Sequence, residues 1–116
     1  MFHCDDSEAF THLVRHWLDE QSDIEWVGAE RDASRVGPSV AEARPDVVLL
    51  DTMGTPGDGE LLATVREAAP EARVVVYSGY VALMGADGLA DGADAYLDKA
   101  EDETTLVETV RAVVAA

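Results

Sequence analysis

Four positions in this chain carry side chains suited to phosphoryl or metal chemistry: the pair Asp5-Asp6, Asp51, Ser78 and Lys99. Asp51 directly follows Val47-Val48-Leu49-Leu50, an apolar run that reads as a strand buried on both faces at the centre of a parallel sheet. In open α/β sheets the carboxyl ends of the strands open onto the crevice where ligands bind, so Asp51 is placed where chemistry is done. Asp5-Asp6 follows a short first strand over 2–4, Ser78 ends the run Val74-Val75-Val76-Tyr77, and Lys99 follows Ala95-Tyr96-Leu97. If these strands are parallel, all four groups reach one sheet edge. Three carboxylates brought together suppress one another's ionisation, so a cation is expected among them. Hard oxygen ligands that leave room for waters and a phosphoryl group suit Mg²⁺.

The elements that must position these groups alternate along the chain. Ser7 is the expected N-cap of a helix over 8–21 with the apolar stripe Phe10, Leu13, Val14, Trp17 and Leu18. A second strand is expected over 24–28. Gly37-Pro38 interrupts the next helical stretch, which predicts a shortened helix starting at Pro38 after an irregular connection or one loose turn. A third helix carries Leu61, Leu62, Val65 and Ala69 and stops at Pro70. A fourth, over 81–91, is weakened by Gly85 and Gly88. The last, capped by Asp102, has the stripe Leu106, Val107, Val110, Val113 and Val114. Strand and helix thus alternate five times, which favours a doubly wound α/β fold around a parallel sheet.

Composition narrows the function. The 116 residues suffice for one core. Asp and Glu number 24 against 8 Lys and Arg, a formal charge of -16, and such a field repels nucleic-acid backbones and acidic lipid surfaces. No apolar run approaches the ~20 residues of a membrane span, and the start of the chain lacks a signal peptide, so a cytoplasmic protein is expected. The single cysteine, Cys4, reads as a packing residue. His12 and His16 are spaced i, i+4, but without a third ligand they read as an exposed polar face.

With Asp5-Asp6, Val47 to Asp51, Asp58-Gly59, Ser78-Gly79 and Gly92-Ala93-Asp94-Ala95-Tyr96-Leu97-Asp98-Lys99 in this order and spacing, the chain resembles a response-regulator receiver domain of the CheY-like superfamily over essentially its full length, 1–116. The resemblance implies a flavodoxin-like (βα)5 fold, a five-stranded parallel sheet in the order 2-1-3-4-5 with five helices. It makes Asp51 the acceptor of a phosphoryl group from a histidine kinase or phosphotransfer protein. Mg²⁺ would be held by Asp6, Asp51, the Met53 backbone carbonyl and, mainly through water, Asp5. Lys99 would pair with a phosphoryl oxygen, Ser78 would donate its hydroxyl to another, and Tyr96 would turn into the space that is freed. A downstream effector protein would read the face made by the fourth helix, the fifth strand and the last helix. The domain would be a signalling switch rather than a turnover enzyme, with no output domain of its own unless it is a fragment, and a monomer or a phosphorylation-dependent dimer.

Receivers usually place Pro after the lysine. Here the pair is Lys99-Ala100, which implies a trans loop, and the Met-Pro pair usual after the acceptor is displaced, with Pro56 one residue late. These departures leave open a degenerate receiver acting as a phosphorylation-independent interaction module. Asp51-Thr52-Met53-Gly54-Thr55 is also similar to the opening motif of haloacid-dehalogenase phosphatases, which want a second Asp where Met53 stands.

Overall fold

The computed structural model describes residues 1–51, 60–79 and 92–115. Five strands, β1 (Phe2–Cys4), β2 (Gly28–Glu30), β3 (Val47–Leu50), β4 (Arg73–Ser78) and β5 (Ala95–Asp98), form one sheet in the order β2-β1-β3-β4-β5. Every pairing is parallel. Among the described residues there are four α-helices, α1 (Glu8–Asp19), α2 (Val36–Ala43), α3 (Glu60–Ala68) and α4 (Glu103–Ala115), and one 3-10 turn (Ala33–Arg35). The helix expected over 81–91, the Met53 carbonyl and the Asp58-Gly59 pair lie outside the described residues.

Strand alternation divides the core into two layers. Val47, Leu49, Val75, Tyr77 and Leu97 pack against Val14 and Leu18 of α1 and Leu106, Val107, Val110 and Val113 of α4. Phe2, Cys4, Val48, Leu50 and Val74 face Val36 and Val40 of α2 and Leu62 and Val65 of α3. Both faces of β3 are therefore dry, as its unbroken apolar run requires. Cys4 is buried and burial pushes its thiol up to about 12, which suits a packing residue.

Several boundaries differ from the sequence reading. The second strand begins at Gly28, four residues later than expected, because Ile24 and Trp26 are used as partly buried lids on the α1/α4 layer. Val27 stays outside the strand and 41 % exposed, although its N–H already donates to Met1 O. Helix α2 starts at Val36, not Pro38, so Gly37-Pro38 falls in the first turn, where an amide N–H has no intrahelical acceptor to lose. The 3-10 turn before it is capped by Asp32, whose Oδ1 accepts from Ser34 N. Leu13 (41 %) and Val114 (55 %) are exposed, so the apolar stripes of α1 and α4 are wider than the surface they bury. Helix α1 ends two residues early, at Asp19.

Candidate functional site

The carboxyl ends of β1, β3, β4 and β5 meet at one edge, and each delivers a polar group there. Asp5 leaves β1 with its N–H bonded to Glu30 O at 3.0 Å, and the Asp51 N–H donates to Cys4 O at 2.8 Å, so two acidic residues are clamped by sheet hydrogen bonds continued one step past the strands. Asp5 Oδ1 accepts from the Ser7 N–H at 2.9 Å, and Ser7 Oγ accepts from the Phe10 N–H at 3.2 Å. The acidic pair and the start of α1 are thereby one hydrogen-bonded unit. Asp5 and Asp51 are buried, whereas Asp6 is exposed. One carboxylate oxygen from each of the three lies within 4.8 Å of the others.

Lys99 reaches this cluster. Its Nζ lies 2.5 Å from Asp5 Oδ2 and 3.5 Å from Asp51 Oδ2, and 4.5 Å above the centroid of the Phe10 ring. No peptide bond among the described residues is cis, so another device aims the lysine. The Ala100 N–H donates to Asp98 Oδ1 at 2.8 Å, the Glu101 N–H to Asp98 O at 3.0 Å and the Lys99 N–H to Ser78 O at 3.1 Å. Asp98 thus closes a side-chain-capped turn around Lys99 and performs locally what a fixed X-Pro bond would otherwise do. Composition alone passed over Asp98; the signal available was an Asp two residues before the N–H it captures.

Ser78 is the last residue of β4, is fully buried, and sits beside the lysine through that backbone bond. Tyr96 is half-buried in β5, paired with Val76. The structure therefore brings Asp5, Asp6, Asp51, Ser78 and Lys99 to one edge, while Tyr96 lies one layer back along its strand. His12 faces Glu8 of its own helix at 3.8 Å and His16 faces Glu20, the residue that caps the helix end, at 3.6 Å, with side chains largely in solvent.

The electrostatics are those of crowded anions around one cation. Burial pushes the Asp51 carboxyl up, Lys99 draws it back, and Asp5 and Asp6 raise it again, leaving it above the ordinary carboxylate value. Burial acts the same way on Asp5, but contacts from His3, Lys99 and the Ser7 N–H outweigh it and hold that carboxyl below its ordinary value. Asp5 Oδ2 is buried, with the Lys99 ammonium at 2.5 Å and His3 Nε2 at 3.4 Å as its neighbours. Three carboxylates against a single lysine leave excess negative charge, and the all-oxygen donor set fits a hard divalent cation.

A family model described as the response regulator receiver domain matches residues 1–111. The chain belongs to this family. Among curated relatives, the receiver resembles "Oxygen regulatory protein NreC" of Staphylococcus epidermidis at 32 % identity, over 83 % of this chain and 45 % of that protein. It is 28 % identical to "Response regulator protein VraR" of Staphylococcus saprophyticus, over 92 % of this chain and 52 % of that protein. The chain therefore spans about half the length of the curated relatives it matches. Among solved structures, the signal receiver domain of the response regulator NarL from Mycobacterium tuberculosis superposes with a TM-score of 0.82 at 25 % identity, covering 99 % of this chain and 94 % of that one. The response regulator domain of Thermotoga maritima CheB shares the fold with a TM-score of 0.79 at 22 % identity, covering 99 % and 95 %. Among the described residues, no helix of this receiver is long and apolar enough to cross a membrane.

Proposed function

We propose that residues 1–116 act as one phospho-accepting receiver unit of a two-component system, with Asp51 as the acceptor. The observation that carries this reading is the convergence of Lys99 and three carboxylates, Asp51 among them, at the carboxyl edge of the sheet. The Asp51 carboxylate oxygen attacks phosphorus in line. The P–N bond of a phosphohistidine donor breaks, its electron pair stays on the leaving imidazole, and an acyl phosphate results. Lys99 leaves its place between Asp5 and Asp51 to pair with a phosphoryl oxygen, and the Ser78 hydroxyl donates to another. Asp6, Asp51, the Met53 backbone carbonyl and, mainly through water, Asp5 would hold Mg²⁺, which would supply positive charge against the phosphoryl oxygens.

The reading extends to signal output. The hydrogen bond from Ser78 draws the end of β4 inward, and Tyr96 turns toward the space released. A downstream effector reads the change on the face that includes β5 and α4. The relatives named NreC and VraR are regulators of about twice this length, which supports an effector function supplied by a further protein or segment. The donor is a sensor histidine kinase or phosphotransfer protein in the cytoplasm, and the receiver is a switch rather than a turnover enzyme.

Incubation with acetyl phosphate and Mg²⁺ tests this by intact mass. The expected result is one phosphoryl adduct that needs Mg²⁺ and is absent in Asp51→Asn. No adduct in the unmodified chain favours the phosphorylation-independent interaction module, and sustained hydrolysis of a generic phosphate ester favours a phosphatase.

A further inference from the structure

β5 delivers Lys99 to the site, yet little in its own side chains fixes where along β4 it lies. It stands at the end of the strand order beside β4, and of its four residues Leu97 alone is buried. Register is weakly specified when a strand buries so little of one face. A parallel strand rises about 3.3 Å per residue, so a slip of two residues would keep the same faces and carry Lys99 about 6.6 Å along the sheet. Its Nζ, now 3.5 Å from Asp51 Oδ2, would lose that contact.

A cluster at the opposite, amino-terminal end of the strand supplies what the apolar pattern lacks. Val74 of β4 is fully buried, and the residue that takes both of its backbone groups is Asp94, one position before β5. The Asp94 N–H donates to Val74 O at 2.8 Å, and Asp94 Oδ2 accepts from the Val74 N–H at 2.8 Å. A buried amide left without an acceptor is costly. Shifted by one or two residues, the chain would set Gly92, Ala93, Ala95 or Tyr96 opposite Val74, and none of these carries a carboxylate. Arg66 of α3 steadies the arrangement: its Nη2 lies 3.0 Å from Asp94 Oδ2, its Nη1 donates to Ala72 O at 3.0 Å, and its Nε donates to Gly92 O at 3.0 Å. Arg73 Nη1 adds a second cation 3.8 Å from Asp94 Oδ1. Burial alone would raise the Asp94 carboxyl, but the Val74 N–H and the two arginines hold it below its ordinary value, so it stays an acceptor at neutral pH.

We propose that Asp94, held by Arg66, is a positioning residue: it fixes the register of β5 on β4 and thereby sets how far Lys99 reaches into the acidic site. The consequence for phosphoryl transfer rests on the reading of Asp51 as acceptor, whereas the consequence for Lys99 does not. Lys99 is the single lysine of the sequence, so lysine-selective isotope labelling of the full chain reports one side chain by NMR. In the metal-free protein, proton cross-peaks between Lys99 and the Phe10 ring are expected, since Nζ lies 4.5 Å from the ring centroid. They are expected to be lost in Asp94→Ala and kept in Asp94→Asn, whose side-chain oxygen still accepts from the Val74 N–H. Should Asp94→Ala fail to fold by circular dichroism, Arg66→Met, which leaves both strands unaltered, is expected to weaken the same cross-peaks. Undiminished cross-peaks in a folded Asp94→Ala, or in Arg66→Met where Asp94→Ala does not fold, would overturn the proposal.

The second arm reads the consequence for chemistry. With acetyl phosphate and saturating Mg²⁺, the initial rate of adduct formation is expected to fall about tenfold or more in Asp94→Ala and to recover in Asp94→Asn. A residue that only stabilised the fold would leave the rate of a fully folded sample unchanged, and that result would overturn the proposal. Should the unmodified chain form no adduct, the phospho-acceptor reading fails, and the cross-peaks still decide whether Asp94 places Lys99.

Discussion

Replacing Lys99 by Met should weaken the metal-free fold and strengthen its hold on Mg²⁺, two effects of opposite sign from one lost charge. Among the described residues Lys99 is the cation in contact with the two buried carboxylates, at 2.5 Å and 3.5 Å, and its own side chain is 17 % exposed. Two unit charges 3.5 Å apart attract by about 5 kcal/mol at an effective dielectric constant of 20. Part of this is offset by the desolvation of all three groups, and removing one partner of a buried pair typically costs ~3 kcal/mol or more. That is a large share of the 5–15 kcal/mol that roughly bounds the stability of such a domain. Conversely, an ammonium lodged among the carboxylates repels a dication, so its removal should tighten Mg²⁺ binding at least about tenfold, or ~1.4 kcal/mol. The assay is urea unfolding in EDTA and in MgCl₂, with Mg²⁺ affinity read from a calorimetric titration. A stability loss under ~1 kcal/mol together with an unchanged or weaker Mg²⁺ affinity would refute the claim that Lys99 neutralises this cluster.

Three further outcomes follow from the same geometry. Asp51→Asn should stabilise the metal-free protein at neutral pH by ~0.5–2 kcal/mol, since the folded state holds the Asp51 carboxyl above its ordinary value and its ionisation works against folding. This gain should shrink as pH falls through that raised value; Asp5, held below its ordinary value, acts oppositely, stabilising above the usual carboxylate range and ceasing to do so as pH falls through its lowered value. Urea midpoints from about pH 1.5 to 8, a range that passes through the Asp5 value of about 2 as well as the raised Asp51 value, check both signs. Asp98→Ala removes the acceptor of the Ala100 N–H and should lower stability by ~1 kcal/mol while slowing acetyl-phosphate labelling more than Asp98→Asn, which keeps an acceptor oxygen. Gly92→Ala should cost ~1 kcal/mol by thermal melting from backbone strain alone, because Gly92 has φ 105° while an added Cβ would meet nothing closer than Leu62 at 3.9 Å.

Much of this receiver is legible in its sequence because the central strands carry an unambiguous signal. Val47 to Leu50 and Val74 to Tyr77 are apolar on both faces, which only a covered parallel sheet can use, and the polar residues that end them must then share an edge. β2 was misplaced because Gly28-Ala29-Glu30 lies at the sheet edge and has no apolar alternation, while the more hydrophobic Ile24 and Trp26 just before it serve the core as lids. Pro38 suggested a later start to α2 than Val36, since a proline is equally comfortable anywhere in a first turn. His3 went unnoticed inside a strand taken as simply apolar, although the period of two already places it on the face of Asp5. The turn held by Asp98 resolves the question that Lys99-Ala100 raised: the lysine is directed inward by a side-chain hydrogen bond.

The most direct measurement is the location of the phosphoryl group after brief exposure to acetyl phosphate and Mg²⁺, read by peptide fragmentation under conditions that preserve acyl phosphates. A single modified carboxylate at Asp51 is the expected result. Modification of Asp5 or Asp6 instead, or none at all while the fold and Mg²⁺ binding are intact, would contradict it.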